Sequence, residues 1–201
     1  MKDLFLNKSL NMLQAQYQYN DEMLDRVKYG LEIIYISITK ISVILIISII
    51  LHCFKETFLT VLFMNFLRMF AYGLHAKKSW HCYISSTFSF VILPIIFTNI
   101  EFDLIQKIII SILTFISFIL YAPADTYKRP LINQKHRKKL KISTLIVSLI
   151  YIISIFIIND NYITNLLILS LIIQSFLINP FIYRIFDLPY NNYKSYKKGC
   201  N

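Results

Sequence analysis

Long runs of Ile, Leu and Phe alternate with short polar breaks along almost the whole chain, and several runs approach the roughly 20 residues needed to cross a bilayer. Six spans are predicted, over residues 33–52, 58–74, 82–97, 105–121, 143–158 and 166–186. The third is short and contains Pro94, so it is expected to tilt, kink or re-enter. Ahead of the first span, Leu10, Leu13, Tyr17, Leu24, Val27 and Leu31 recur at helical spacing, with Asn20 in the same stripe and Gln14, Gln18, Asp21, Asp25 and Lys28 off it. That stripe predicts an amphipathic helix lying at the inner membrane interface or packed on a partner helix. The expected fold is therefore all-α: a polytopic integral membrane protein with about six transmembrane helices, an amphipathic segment over 1–30 and a single transmembrane domain over 31–201.

Composition supports the reading. Of 201 residues, 56% are hydrophobic, more than a single soluble core requires, so the excess is expected to face lipid. The N-terminal stretch has scattered charges and no small-residue cleavage site after an apolar core, which does not resemble a removable signal peptide. A formal charge of +10 raises the question of a nucleic-acid partner, and location answers it. The segment "DTYKRPLINQKHRKKLK" holds seven Lys or Arg against one Asp, the pattern of a cytoplasmic loop. "NDNYITN" has no Lys or Arg and "TNIEFDLIQK" is mostly acidic, which suits the outer face, while "HAKKSWH" and the tail with Lys194, Lys197 and Lys198 fall inside. Both termini are then expected in the cytoplasm, and nucleic acid is not an expected partner. The three cysteines, Cys53, Cys82 and Cys200, form no paired framework.

Chemistry concentrates in "RMFAYGLHAKKSWHC", residues 68 to 82. On one straight helix Arg68, His75 and Cys82 would share a face, but about 10 Å apart at 1.5 Å rise per residue. Proton transfer needs roughly 3 Å. If the chain instead turns back within "KKSW", His75 and Cys82 are symmetric about the turn, and an antiparallel hairpin sets them opposite each other. A thiol facing an imidazole is the arrangement of an activated cysteine nucleophile, with Lys77 and Lys78 adding positive potential at the same mouth. A small hydrophobic role for Cys82 stays open. A zinc site from His75, His81 and Cys82 lacks a fourth ligand and the usual spacing, so no metal or cofactor is implied. Arg68 lies inside an apolar run, where it either snorkels to the interface or meets an anion. His52 and Cys53 fall at the other end of the first span and receive no role.

Here a resemblance enters. Arg68, "GLHA" at 73–76 and Cys82 look like the signature of the AgrB, or accessory gene regulator B, family of membrane endopeptidases in Gram-positive quorum sensing. "YAPADTYKRPL" at 121–131, followed by "HRKKLK", is similar to that family's other recognisable stretch. Gly73-Leu74 stands where the family often has two glycines or Gly-Val. The resemblance implies an enzyme that cleaves an AgrD-type precursor peptide, with Cys82 and His75 as the catalytic pair. Arg68 and Gly73 match positions the family requires, and a homodimer is implied. Lys138, Lys139 and Lys141 are candidate contacts for an acidic precursor tail, and Asp125 is a candidate orienting partner for His75. Two rivals share parts of this reading: a membrane acyltransferase carrying its acyl group on Cys82, and a non-enzymatic transporter.

Overall fold

The computed structural model describes residues 5–6, 9–13, 21–74, 79–126 and 131–194. Among these the chain is helical throughout, apart from one isolated parallel bridge between Tyr72 and Ala124. Two compact units form, Met1–Ile47 and Ser48–Asn201.

In the first unit the described residues 5–6 and 9–13 are helical, with Leu6 and Leu10 buried and the Phe5 ring 5.4 Å from that of Tyr35. Helix α1, Asp21–Ile50, then runs for 30 residues without a break. The amphipathic stripe and the first apolar run were expected as separate elements; from Asp21 onward they are one helix, because no proline interrupts that stretch and its single glycine, Gly30, costs about 1 kcal/mol, too little to break it. Residues 14–20, including Tyr17 and Asn20, lie outside the described residues.

The second unit holds α2 (Phe54–Ala71), α3 (Ser79–Thr87), a π-helical stretch Phe88–Ile92, α4 (Leu93–Thr98), α5 (Leu104–Tyr121), α6 (Gln134–Ile157), α7 (Asn161–Ile178) and α8 (Pro180–Ile185). By length and composition, four described helical segments can cross a membrane: Gly30–Ile50, α5, α6 and α7. Helix α2 carries Lys55, Glu56 and Arg68, and the apolar stretch Tyr83–Thr98 is shorter. The expected disturbance near Pro94 is present. Its ring cannot sit against the carbonyl four residues back and it has no N–H to donate, and the helix widens into its π turn just ahead of it.

Two expected boundaries need correction. The last span does not run unbroken from 166 to 186: α7 ends at Ile178 because Pro180 disfavours helical backbone at Asn179, whose side chain then caps α8 by accepting the Phe181 amide. The basic segment is not loop up to 141. Asn133 caps α6 by accepting the amides of Lys135 and His136, so Lys138, Lys139 and Lys141 stand on its first two turns.

Helix α7 is the centre of the second unit, packed against α2, α4, α5 and α6, with every residue from Thr164 to Leu171 buried. The helices around it show narrow buried stripes rich in small residues, as membrane packing favours: Thr57, Thr60, Met64, Leu67 and Ala71 on α2, and Ser111, Thr114 and Phe118 on α5. Several of these hydroxyls bond a carbonyl one turn back on their own helix, Thr60 to Glu56, Thr114 to Ile110 and Thr144 to Leu140, which satisfies them without holding neighbouring helices apart. Outward residues of α5 such as Ile105, Ile109, Ile112 and Leu113 are exposed, as lipid contact requires.

Candidate functional site

Helix α2 ends at Ala71 and α3 begins at Ser79, so the chain reverses between them; residues from the start of α2 and from α4 line one shared cavity of about 340 Å³ at the far end. The change of direction thus falls between Ala71 and Ser79, and the predicted turn within "KKSW" rests on residues outside those described. His75, Lys77 and Lys78 lie outside the described residues, and Cys82 is placed by its backbone alone, in the first turn of α3. What the structure does describe is the segment that delivers His75, residues 71 to 74.

That segment is held on both edges. On one side the Ala124 amide donates to the Ala71 carbonyl at 3.1 Å and the Gly73 amide donates to the Ala124 carbonyl at 3.0 Å. On the other, the end of α7 supplies partners of both kinds. Gln174 Nε2 donates to the Tyr72 carbonyl at 2.6 Å, and the Leu177 carbonyl accepts the Leu74 amide at 2.9 Å. Carbonyls in the last turn of a helix have no partner within it, so Leu177 is free to serve the neighbouring chain.

Arg68 closes the end. Its Nη2 donates to the Leu74 carbonyl at 2.8 Å, the last peptide group before His75. The half-buried guanidinium thus grips main chain, and its charge suits the last turn of α2. Gly73 has φ +126°, and a Cβ there would stand 3.0 Å from the Leu177 carbonyl oxygen. Glycine is required twice over, by backbone angle and by close approach.

The second motif block is the other half of the clamp. Asp125 is buried, and its carboxylate accepts the amides of Asn192 at 3.0 Å, Tyr193 at 2.8 Å and Leu131 at 3.4 Å, while Tyr183 donates its hydroxyl to the Asp125 carbonyl at 3.2 Å. Burial first, then the nearby Asp125 charge, raises the Tyr183 phenol far above its ordinary range, so it stays a donor. Arg137 lies 3.5 Å over the Tyr193 ring. The Asp125 carboxylate is thus an anchor tying the C-terminal segment to residues 122–125, and these in turn hold residues 71–74.

Lys138 and Lys139 are exposed and Lys141 half-buried, at the same end of the second unit as this clamp. The opposite end gathers Glu56, Thr98, Asn99 and Tyr162 with His52 and Cys53; Lys55 sits 4.9 Å from the Tyr162 ring and Cys53 Sγ lies 3.8 Å from Thr57 Oγ1.

The two motif blocks, far apart in the chain, therefore meet as one structure. The accessory gene regulator B family model matches residues 6–178, a range that takes in both. The chain belongs to the AgrB family, which serves the agr quorum-sensing system. It is 36% identical over 152 residues to an AgrB-like protein of Listeria innocua, covering 75% of this chain and 71% of that one. It is 36% identical over 123 residues to accessory gene regulator protein B of Staphylococcus carnosus, covering 61% and 64%, and over 125 residues to that of Staphylococcus aureus, covering 62% and 67%. No solved structure matches.

Within this AgrB-family chain, sequence reasoning missed Gln174. A single glutamine in a run such as "LIIQSFLI" has no partner nearby in the chain, and its only signal was being polar inside an apolar span.

Proposed function

We propose that this AgrB-family protein is a membrane cysteine endopeptidase that trims an AgrD-type precursor peptide and closes it into a thiolactone or lactone signal. His75 and Cys82 are the catalytic pair; Arg68 and Gly73 shape the main chain that carries His75. The observation that carries the reading is the clamp on residues 71–74, where Arg68 and Gly73 are both spent on the backbone that leads directly into His75.

The chemistry follows. The Cys82 thiolate attacks a peptide carbonyl near the precursor's C-terminus, and His75 gives its proton to the departing amine. A thioester on Cys82 remains. A thiol within the precursor attacks that carbonyl while His75 takes its proton, Cys82 leaves as thiolate, and the ring closes with the thiolate–imidazolium pair restored; a serine hydroxyl gives a lactone instead. One thioester replaces another in the thiolactone case, so geometry and exclusion of water decide between closure and hydrolysis. Lys77, Lys78, Lys138, Lys139 and Lys141 attract an acidic precursor tail. The basic turns of α6 support a cytoplasmic placement of this end, where a precursor with an amphipathic leader lies along the bilayer surface. The enzyme acts as a homodimer.

The test is co-expression with an AgrD-type precursor, comparing the wild type with Cys82→Ala and His75→Ala. Loss of the trimmed product in both supports the reading; normal maturation without the thiol ends it. The mass of the adduct trapped on Cys82 separates this activity from acyl transfer: a peptide supports proteolysis, a fatty acyl group the rival.

A further inference from the structure

We infer that Gln174 is a positioning residue for the proposed Cys82/His75 centre, locking the Tyr72–Gly73 peptide plane in the orientation that delivers His75; the inference rests on the functional reading above. The plane is held from opposite sides, by Gln174 Nε2 on the Tyr72 carbonyl at 2.6 Å and by the Ala124 carbonyl on the Gly73 amide at 3.0 Å.

The lock is needed because the local backbone prefers the other orientation. Tyr72 stands at φ 58°, ψ −139°, a region that residues with a side chain avoid. Turning the plane over by about 180° leaves the φ of Tyr72 alone and brings its ψ to about 40°, inside the left-handed α basin that such residues tolerate far better. Gly73, without a Cβ, accepts the accompanying change in its own φ. The flipped plane would aim the Tyr72 carbonyl toward the Ala124 carbonyl, setting acceptor against acceptor, and would take the Tyr72 carbonyl away from Gln174 Nε2. The observed orientation therefore persists through its two hydrogen bonds, and Gln174 supplies the only one that comes from a side chain.

Gln174 is itself expensive to keep. It is fully buried in α7, and its Oε1 has no hydrogen-bond partner among the described residues, a cost of about 1–3 kcal/mol. An apolar residue of similar size would pack there more favourably, so stability alone does not account for the amide. Because residues 73 and 74 follow the plane in direct succession, an error of orientation at Tyr72 is carried into the main chain that leads to His75.

The experiment uses the full chain in detergent micelles. Gln174→Met keeps length and apolar packing but removes the donor. Gln174→Glu restores a donor only while its buried carboxyl is protonated. Hydrogen–deuterium exchange reads the plane through the Gly73 amide, and iodoacetamide alkylation of Cys82, followed by mass spectrometry across pH, reads the pairing of thiol and imidazole. In Gln174→Met the Gly73 amide should exchange about tenfold faster, the equivalent of one net hydrogen bond, while amides in α7 keep their protection. Alkylation of Cys82 should slow at neutral pH, with its pH profile displaced upward. Gln174→Glu should match the wild type in acid and come to match Gln174→Met as pH rises. Wild-type exchange and alkylation in Gln174→Met would overturn the inference, as would a loss of protection spread over all of α7. Precursor maturation that survives Cys82→Ala and His75→Ala instead removes the cysteine-peptidase reading, whatever the Gly73 amide does.

Discussion

The Gly73 amide and the Ala124 carbonyl meet at 3.0 Å, and the Ala124 amide returns a bond to the Ala71 carbonyl at 3.1 Å. This pairing joins the two polar motif blocks of the chain at one end of the helical bundle, and at Gly73 the close approach of the Leu177 main chain leaves no room for a side chain.

Gly73→Ala should be far more damaging than its chemistry suggests. Its Cβ would press on the Leu177 carbonyl at 3.0 Å and its φ of +126° disfavours any side chain, a backbone cost of about 1–3 kcal/mol before the clash is counted. Thermal unfolding in detergent and precursor trimming should both fall. Gly30→Ala is the control, since a Cβ there meets nothing within 4 Å, and in a helix it should stabilise by about 0.5–1 kcal/mol.

Arg68→Lys should not be conservative. A lysine keeps the charge in the last turn of α2 but lacks the planar, fixed donor that reaches the Leu74 carbonyl. A charge-assisted hydrogen bond of about 1.5–3 kcal/mol is at stake, so trimming should slow by roughly 10- to 100-fold. A lysine variant with wild-type turnover would show that charge alone suffices.

Asp125→Ala should release the C-terminal segment. Three main-chain amides, of Leu131, Asn192 and Tyr193, lose their acceptor, at a cost of about 3 kcal/mol or more if they remain buried. Limited proteolysis should then cut beyond residue 187. Asp125→Asn, with one acceptor oxygen left, should fall between this variant and the wild type.

Neutralising Lys138, Lys139 and Lys141 together should weaken processing of a precursor with an acidic tail while leaving insertion intact. The advantage of the wild type over the triple variant should shrink as salt is added, because screening erodes the attraction the lysines supply. Equal rates at low salt would exclude these lysines from substrate capture.

Alkali should loosen the clamp. Burial pushes the Tyr190 phenol up to about 12, and burial with the Asp125 charge raises Tyr183 further. Groups raised in the folded state stabilise it fully below their unfolded value of about 10, and that contribution is lost as pH climbs through the folded values. Thermal stability should therefore decline from about pH 10 upward, and Tyr183→Phe, which cannot ionise, should flatten the decline.

How far the sequence could be read depends on the range of the interaction concerned. The apolar runs, the disturbance at Pro94 and the reversal between α2 and α3 were legible because each follows from neighbouring residues. The start of α6 was misplaced because Asn133 works as a cap through its side chain, overriding the impression of a charged loop. The last span was drawn too long because an apolar run continues through Asn179 and Pro180 while the helix does not. Asp125 was suggested as a partner for His75, and its place holding three main-chain amides depends on a C-terminal segment far along the chain.

By itself, the sequence determined that this protein is an all-helical membrane protein of the AgrB family, since hydropathy and motif order are properties of the linear chain. Tertiary structure alone decided what grips the approach to His75. Gln174 reaches the Tyr72 carbonyl with its side chain, while Ala124 pairs with Gly73 and Leu177 receives Leu74 through main-chain groups. Such groups are the same in every residue and leave no mark in the sequence; only folding brings them within reach.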